Sequence, residues 1–222
     1  MGESKNLKEG NKSLLAVYLV SHGVVLALAI LGWPSSIGHL KAIDGSDWGK
    51  AAVLLLITLV VTFMNRMGTD QVKLALVFWR VKHSLPGCRA FSKLAVGDPR
   101  IDLGRLKRAV GGEFPSDPEE QNKAWYRLYQ QVRDSASIED AHKEYLLFRD
   151  ITWLTVPATS SCLAALLLMR HFKIGAFYLL ACVGIYLLAR VAAILAANSF
   201  VRSVMATASA ACEPVKSSII PG

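Results

Sequence analysis

The 222-residue chain is 53% hydrophobic and carries 25 Lys+Arg against 17 Asp+Glu, a formal net charge of +8. With a mean hydropathy of +0.36, this is more apolar than a single soluble domain usually is. The four cysteines, Cys88, Cys162, Cys182 and Cys212, have no paired spacing, which argues against a disulfide framework or a cysteine-based zinc site.

The apolar residues are bunched into four blocks, Leu14–Trp33, Trp48–Met64, Ile151–Met169 and Ile174–Ala197. A helix rises about 1.5 Å per residue, so roughly 17 to 25 such residues cross a hydrocarbon core of about 30 Å. The expected fold is an all-α integral membrane protein with four transmembrane helices in two hairpins and a cytoplasmic helical module between them. Residues 1–65 form an N-terminal cytoplasmic tail and a hairpin with spans at about 14–33 and 48–65. Residues 66–150 form the module. Residues 151–222 form the second hairpin, with spans at about 151–169 and 174–197, and a C-terminal tail.

Taken in chain order, Lys5, Lys8 and Lys12 make a basic front to the first block. Its apolar run is long for a signal peptide and no small-x-small cleavage site follows Trp33-Pro34, so it is expected to stay in the mature protein. The block places Ser21-His22-Gly23 mid-membrane. The second block is short and reaches spanning length with Trp48, Lys50, Asn65 and Arg66 in the headgroups. Between Arg66 and Asp150 there are 15 Lys+Arg and 12 Asp+Glu, against two of each from Trp33 to Lys50. Basic residues favour the cytoplasmic side, so a multi-pass membrane protein with both termini and the long middle segment cytoplasmic is expected. Arg170 and Lys173, in the short loop of the second hairpin, run against this orientation.

Within the module a helix is expected from Asp70 to His83, continuing span two and stopped by Ser84-Leu85-Pro86-Gly87. Asp98-Pro99 reads as a helix start, with Gly111-Gly112 as its end. Asp117-Pro118-Glu119-Glu120 heads a helix whose Trp125, Leu128, Tyr129 and Val132 share a face. Ser137 caps a third helix that runs without a breaker into span three. From Arg66 to Arg108 there are ten basic and three acidic residues; from Glu113 to Asp150 there are five basic and nine acidic. A basic half beside the inner leaflet suits anionic lipid. The candidate contacts to a lipid or ligand phosphate are Arg80, Lys82, Arg89, Arg100, Arg105, Lys107 and Arg108.

Polar residues inside spans are costly unless they find partners or water. His22 in span one and Thr155, Thr159 and Ser160 in span three, near the kink-prone Pro157, are candidates for pore-lining or intramembrane polar positions. Bonding to a neighbouring helix is the commoner role for such groups. Ala189, Ala193 and Ala197 give span four a close-packing face, and Arg190 an interfacial anchor. No Gly-rich phosphate loop, Cys-x-x-Cys, His-Glu-x-x-His or Gly-x-Ser-x-Gly occurs. No catalytic residue, metal or cofactor is therefore expected.

This plan, with the stretches FWRVKHSLPGCRAF, WYRLYQQ and YLLFRD, resembles the small multi-span membrane effectors of bacterial anti-phage systems, including those coupled to retrons or nucleotide messengers. The resemblance implies an effector that permeabilises or perturbs the inner membrane when its module is triggered, in abortive infection. Its partners would be membrane lipids, further copies of the chain in a homo-oligomer, and a soluble trigger protein or nucleotide ligand on the cytoplasmic side. Two alternatives stand beside it. One is a non-catalytic membrane sensor or scaffold that binds a soluble partner through an exposed Trp125–Val132 face. The other is a lipid-modifying membrane enzyme in which His83 and His142 meet Asp98 or Asp102.

Overall fold

The computed structural model describes residues 11–31, 68–168 and 172–212. The proposed span at 48–65, the N-terminal ten residues and the last ten lie outside them. Among the described residues the chain is all-helical, with no strand. The helices are α1 (Lys12–Leu31), α2 (Asp70–Phe78), α3 (Leu103–Val110), α4 (Pro118–Val132), α5 (Ala136–Leu168) and α6 (Phe172–Ala211), with a 3-10 turn at Pro86–Arg89 and a π turn at Ala90–Leu94 between α2 and α3. One helix among the described residues, α6, is long and apolar enough to cross a membrane. A four-span topology is not established by these features.

The chain divides into two compact units, Met1–Trp79 with Leu146–Ala193, and Arg80–Tyr145 with Ile194–Gly222. Helices α5 and α6 each contribute to both. In the first unit Trp153, Leu154 and Ala158 of α5 form a buried cluster against Leu15, Tyr18 and Leu19 of α1 and Leu76 of α2. The outward residues are also apolar: Phe177, Leu180 and Leu188 are 76%, 71% and 74% exposed. On α1, Leu14, Val17, Val20 and Val24 form an exposed stripe at helical spacing. Surface of this kind fits a bilayer rather than water.

The second unit is built around Phe200. Its ring stacks on His142 at 4.7 Å and meets Trp125 and Tyr129 edge-on at 5.4 and 5.5 Å. Trp125 Nε1 donates to the Val201 carbonyl (3.3 Å), and Arg202 Nε donates to the Leu94 carbonyl (3.3 Å). Gly87 lies against α4 so closely that a Cβ there would stand 2.4 Å from Asn122 Oδ1 and 2.9 Å from the Trp125 ring. Buried Gln121 accepts from the Ser92 backbone N–H and hydroxyl and donates to the Ser116 carbonyl. Residues 194–211 thus pack in this unit's core, with helix continuing to Ala211 where a tail was expected after residue 197.

Helix ends in the module depart from the sequence expectation at four places, one of them the start of α5 at Ala136, which leaves the expected cap Ser137 inside the helix. Helix α2 stops at Phe78, five residues short of His83, because Trp79 adopts a left-handed conformation (φ 51°) and its N–H closes on the Ala75 carbonyl. The same helix starts afresh at Thr69, an extended N-cap whose hydroxyl accepts from Val72 N–H, so it is not a continuation of upstream helix. The fourth departure is α3, which begins after Asp102, not Asp98: the Asp98 carboxylate is already taken by Arg100, and Asp102 accepts from Arg105 N–H at 2.9 Å. The end of α3 at Gly111 (φ 89°) and the capping of α4 by Asp117, which accepts from Glu119 and Glu120 N–H, follow the sequence. Helix α5 runs unbroken through Pro157.

Replacing Phe200 by Ala removes the ring on which four aromatic contacts converge. The expected cost is about 3–5 kcal/mol, read as a lower thermal midpoint by circular dichroism of the detergent-solubilised protein, whereas Leu188→Ala, on the exposed face, is expected to change it little.

Candidate functional site

The first unit holds two polar sites within an apolar setting. At the start of the apolar part of α5, Lys73 of α2 and Arg149 converge on one carboxylate. Lys73 Nζ donates to Asp150 Oδ1 at 3.1 Å, and Arg149 Nε and Nη2 donate to the same oxygen at 3.1 and 3.0 Å. Arg149 Nη1 also lies 3.2 Å from Asp70 Oδ1. Lys73, Arg149 and Asp150 are 7%, 6% and 8% exposed, while Asp70 faces solvent. The four formal charges cancel, which is what makes burial of three of them tolerable. Little in the sequence marks this group. Its signal was a lysine inside the apolar run of α2 and an Arg-Asp pair immediately before the apolar block.

The second site is formed by α1, α5 and α6. Tyr18 Oη and Thr155 Oγ1 are 2.6 Å apart, His22 Nδ1 is 3.1 Å from the Tyr18 carbonyl, and the His22 and Tyr178 rings meet edge-on at 6.4 Å. His22 Nε2 and Thr159 Oγ1 are buried and meet no hydrogen-bond partner among the described residues. Thr155 and Ser160 donate back to the Ile151 and Val156 carbonyls, both at 2.8 Å. An open groove of about 200 Å³ is lined by Thr155, Val156, Thr159, Ser160, Cys182, Val183 and Tyr186. Three of the four intramembrane candidates therefore share one groove, and the fourth, His22, is linked to it through Tyr18. His22 and Thr155 are only 7% and 2% exposed, so in this structure they are packing residues.

The seven phosphate candidates do not form one cradle. Arg100 is engaged by Asp98 through two hydrogen bonds (3.0 and 2.8 Å), Arg105 lies 3.3 Å from Asp102, and Lys107 sits over the Phe114 ring at 5.7 Å. Arg80, Lys82 and Arg108 are exposed. Arg89 is half-buried, and burial, reinforced by the nearby Arg80 cation, lowers its pKa from the usual arginine value.

The histidines of the enzyme reading are held apart by different partners. His83 lies 3.9 Å from Glu119, and His142 Nδ1 lies 3.2 Å from Tyr129 Oη within the Phe200 cluster. No group of three metal-binding side chains occurs among the described residues, and the cysteines among them are free thiols. The α4 aromatic face of the scaffold reading is largely covered: Trp125 is 7% exposed and Leu128 1%, with Tyr126 the outward residue. Among the described residues these features define an all-helical protein with one helix long and apolar enough to span a membrane and two internal polar sites in the first unit. Comparison with protein-family models, curated proteins and solved structures finds no match to this chain.

Asp150→Asn leaves two buried cations facing one solvated carboxylate and is expected to cost about 3–5 kcal/mol. Adding Lys73→Met restores charge balance around Arg149 and Asp70, so the double variant is expected to melt above Asp150→Asn alone. A double-mutant cycle of thermal midpoints reads the coupling.

A pH effect is expected at Asp98. Its carboxyl is lowered from 3.8 to about 2, first by the Arg100 side-chain hydrogen bond, so its contribution is present above pH 3.8 and is lost as pH falls through about 2. Acid unfolding followed by circular dichroism should show Asp98→Asn flatter than wild type across that window.

Proposed function

We propose that the chain is a four-span inner-membrane protein, both termini cytoplasmic, that acts without catalysis as a membrane-perturbing effector triggered through its module. The observation that carries this reading is the unbroken course of α5. One helix bears Ile138 and Tyr145 in the core of the second unit, the Arg149–Asp150 charge knot, and then Thr152, Thr155 and Thr159 among apolar residues. In this proposal α5 is the element through which the module acts on the intramembrane hydroxyls.

The lumen in this proposal belongs to an oligomer in its triggered state, since His22 and Thr155 are covered in the single chain. Opening would exchange their internal hydrogen bonds for water, and His22 Nε2 and Thr159 Oγ1 would gain partners they lack here. The sensor or scaffold reading draws on the internal bonding of His22 and Thr155, but the face it would use on α4 is covered by Phe200. The anti-phage setting rests on the resemblance in plan and supplies the trigger to try.

Membrane potential in bacteria expressing the chain, with and without phage challenge, tests this. Wild type is expected to depolarise the cells, and His22→Leu and Thr155→Leu to abolish depolarisation at equal membrane levels. Potential that never falls, or falls equally in both variants, overturns the effector or its lumen respectively.

A further inference from the structure

In the first unit, at the C-terminal end of α2, a second polar arrangement has an incomplete set of partners. Trp79, 63% exposed, is held in its left-handed conformation by a hydrogen bond from its Nε1 to Tyr186 Oη (3.0 Å), and Tyr186 in turn donates to the Leu76 carbonyl (2.9 Å). The Arg190 guanidinium carbon lies over the Trp79 ring, 3.9 Å from its centroid. Its Nε is buried and meets no acceptor among the described residues. The tryptophan and tyrosine polar hydrogens are thus both used inside the chain, and the arginine is the donor left over. A guanidinium carries five N–H groups in a planar fork, stacks well on an indole and pairs bidentately with a phosphate.

Depth along α6 says which phosphate. Lys173 and Arg190 bracket an uncharged stretch of 16 residues, and the 17 helical steps from one to the other span about 25 Å, close to the hydrocarbon thickness of about 30 Å. Arg190 and Trp79 then sit at headgroup level, where aromatic rings and snorkelling arginines collect. One turn back from Arg190 is Tyr186, which also lines the groove between α5 and α6. That groove continues away from the arginine past Val183, Cys182 and Val156, with exposed apolar residues on either side. A cationic fork at one end of an apolar, laterally open groove is complementary to an amphiphile with an anionic head.

The geometry points to a bound anionic phospholipid: its phosphate on the Arg190 guanidinium beside Trp79, and one acyl chain in the groove along Val156 and Val183. This site is separate from the seven basic residues of the module. In the resting protein the chain in the groove covers Thr159 and Ser160, the hydroxyls that the proposed lumen would expose. The inference rests on α6 crossing the membrane, which alkaline carbonate extraction of expressing cells tests by itself.

The site is tested by native mass spectrometry of the full chain in detergent, titrated with phosphatidylglycerol and with phosphatidylcholine of the same acyl chains. Wild type is expected to retain one phosphatidylglycerol about tenfold more tightly than phosphatidylcholine, the scale of one charge-assisted contact. Arg190→Leu is expected to remove that preference, and Arg190→Lys to keep part of it. Val183→Trp, at a position 46% exposed and so safe for folding, should fill the groove and weaken both lipids. Arg80→Gln with Lys82→Gln should leave the preference intact. The site is overturned if Arg190→Leu and Val183→Trp both bind as wild type, if the preference follows Arg80 and Lys82 instead, or if millimolar inorganic phosphate displaces the lipid from wild type. A chain that resists carbonate extraction yet binds lipid without regard to residue 190 overturns the site while leaving the membrane reading standing.

Discussion

A single carboxylate oxygen, Asp150 Oδ1, holds the first unit together. It accepts from Lys73 and from two nitrogens of Arg149, at the point where α5 passes from a charged sequence into an apolar one. A lysine and an arginine buried without it would repel each other in a medium that screens poorly. With it, α2 is tied to α5, and the next residues inward, Thr152, Trp153 and Leu154, are covered. Arg149 reaches one step further, to solvent-facing Asp70 at the first turn of α2, so the neutralising set starts in the interior and ends in water. The short α2, fixed at its N-terminus by Thr69 and along its length by Lys73, then presents Trp79 to Tyr186 and Arg190.

The second unit uses a different device. Its core is aromatic, and one ring, that of Phe200, is shared by Trp125, Tyr129, His142 and Tyr145. Edge-on and stacked contacts of this kind fix orientation as well as burying area. The backbone participates too: the Val201 and Leu94 carbonyls, in a helix and a π turn, each take a side-chain donor from elsewhere in the unit. Helices α5 and α6 each contribute residues to both devices: Arg149 lies four residues beyond Tyr145 in the chain, and Arg190 ten residues before Phe200.

The helical class, the Asp117 cap of α4 and the Gly111 end of α3 were legible in the sequence because each depends on near neighbours. Asp117 ahead of Pro118 and two glutamates could cap only what followed it, and Gly111 could end a helix cheaply. Asp98 and Asp102 offered equal cap chemistry, and the choice between them turned on Arg100, whose guanidinium reaches back to Asp98. The early end of α2 was illegible, since no glycine or proline marks residue 79. The left-handed Trp79 is sustained by Tyr186, 107 residues away. Distance in sequence hid the Lys73–Asp150 pair as well, at 77 residues. Of the intramembrane candidates, the hydroxyl stripe of α5 was readable as one face from its spacing. Its partner across the unit, Tyr18, was not, because an aromatic in an apolar run carries no mark of where its hydroxyl points. Residues 198–211 were expected as a tail because the apolar run thins after residue 197; the groups bonded to them, Trp125 and the Leu94 carbonyl, lie 76 and 108 residues away in the chain.

The place of Phe200 in the chain has a consequence for how the protein is made. Synthesis proceeds from the N-terminus at roughly 5–20 residues per second, so Arg80–Tyr145 leaves the ribosome well before the ring that fills its centre. The α4 face of Trp125 and Tyr129 stays open during that interval, and it closes only after the apolar stretch of α6 has emerged. Assembly of the second unit is thereby scheduled behind synthesis of that stretch: the C-terminal half of α6 completes a core whose other walls were made seconds earlier. A ribosome that stalls or terminates within residues 172–199 would leave behind a chain with that aromatic face uncovered, the kind of surface by which quality-control proteases recognise unfinished work.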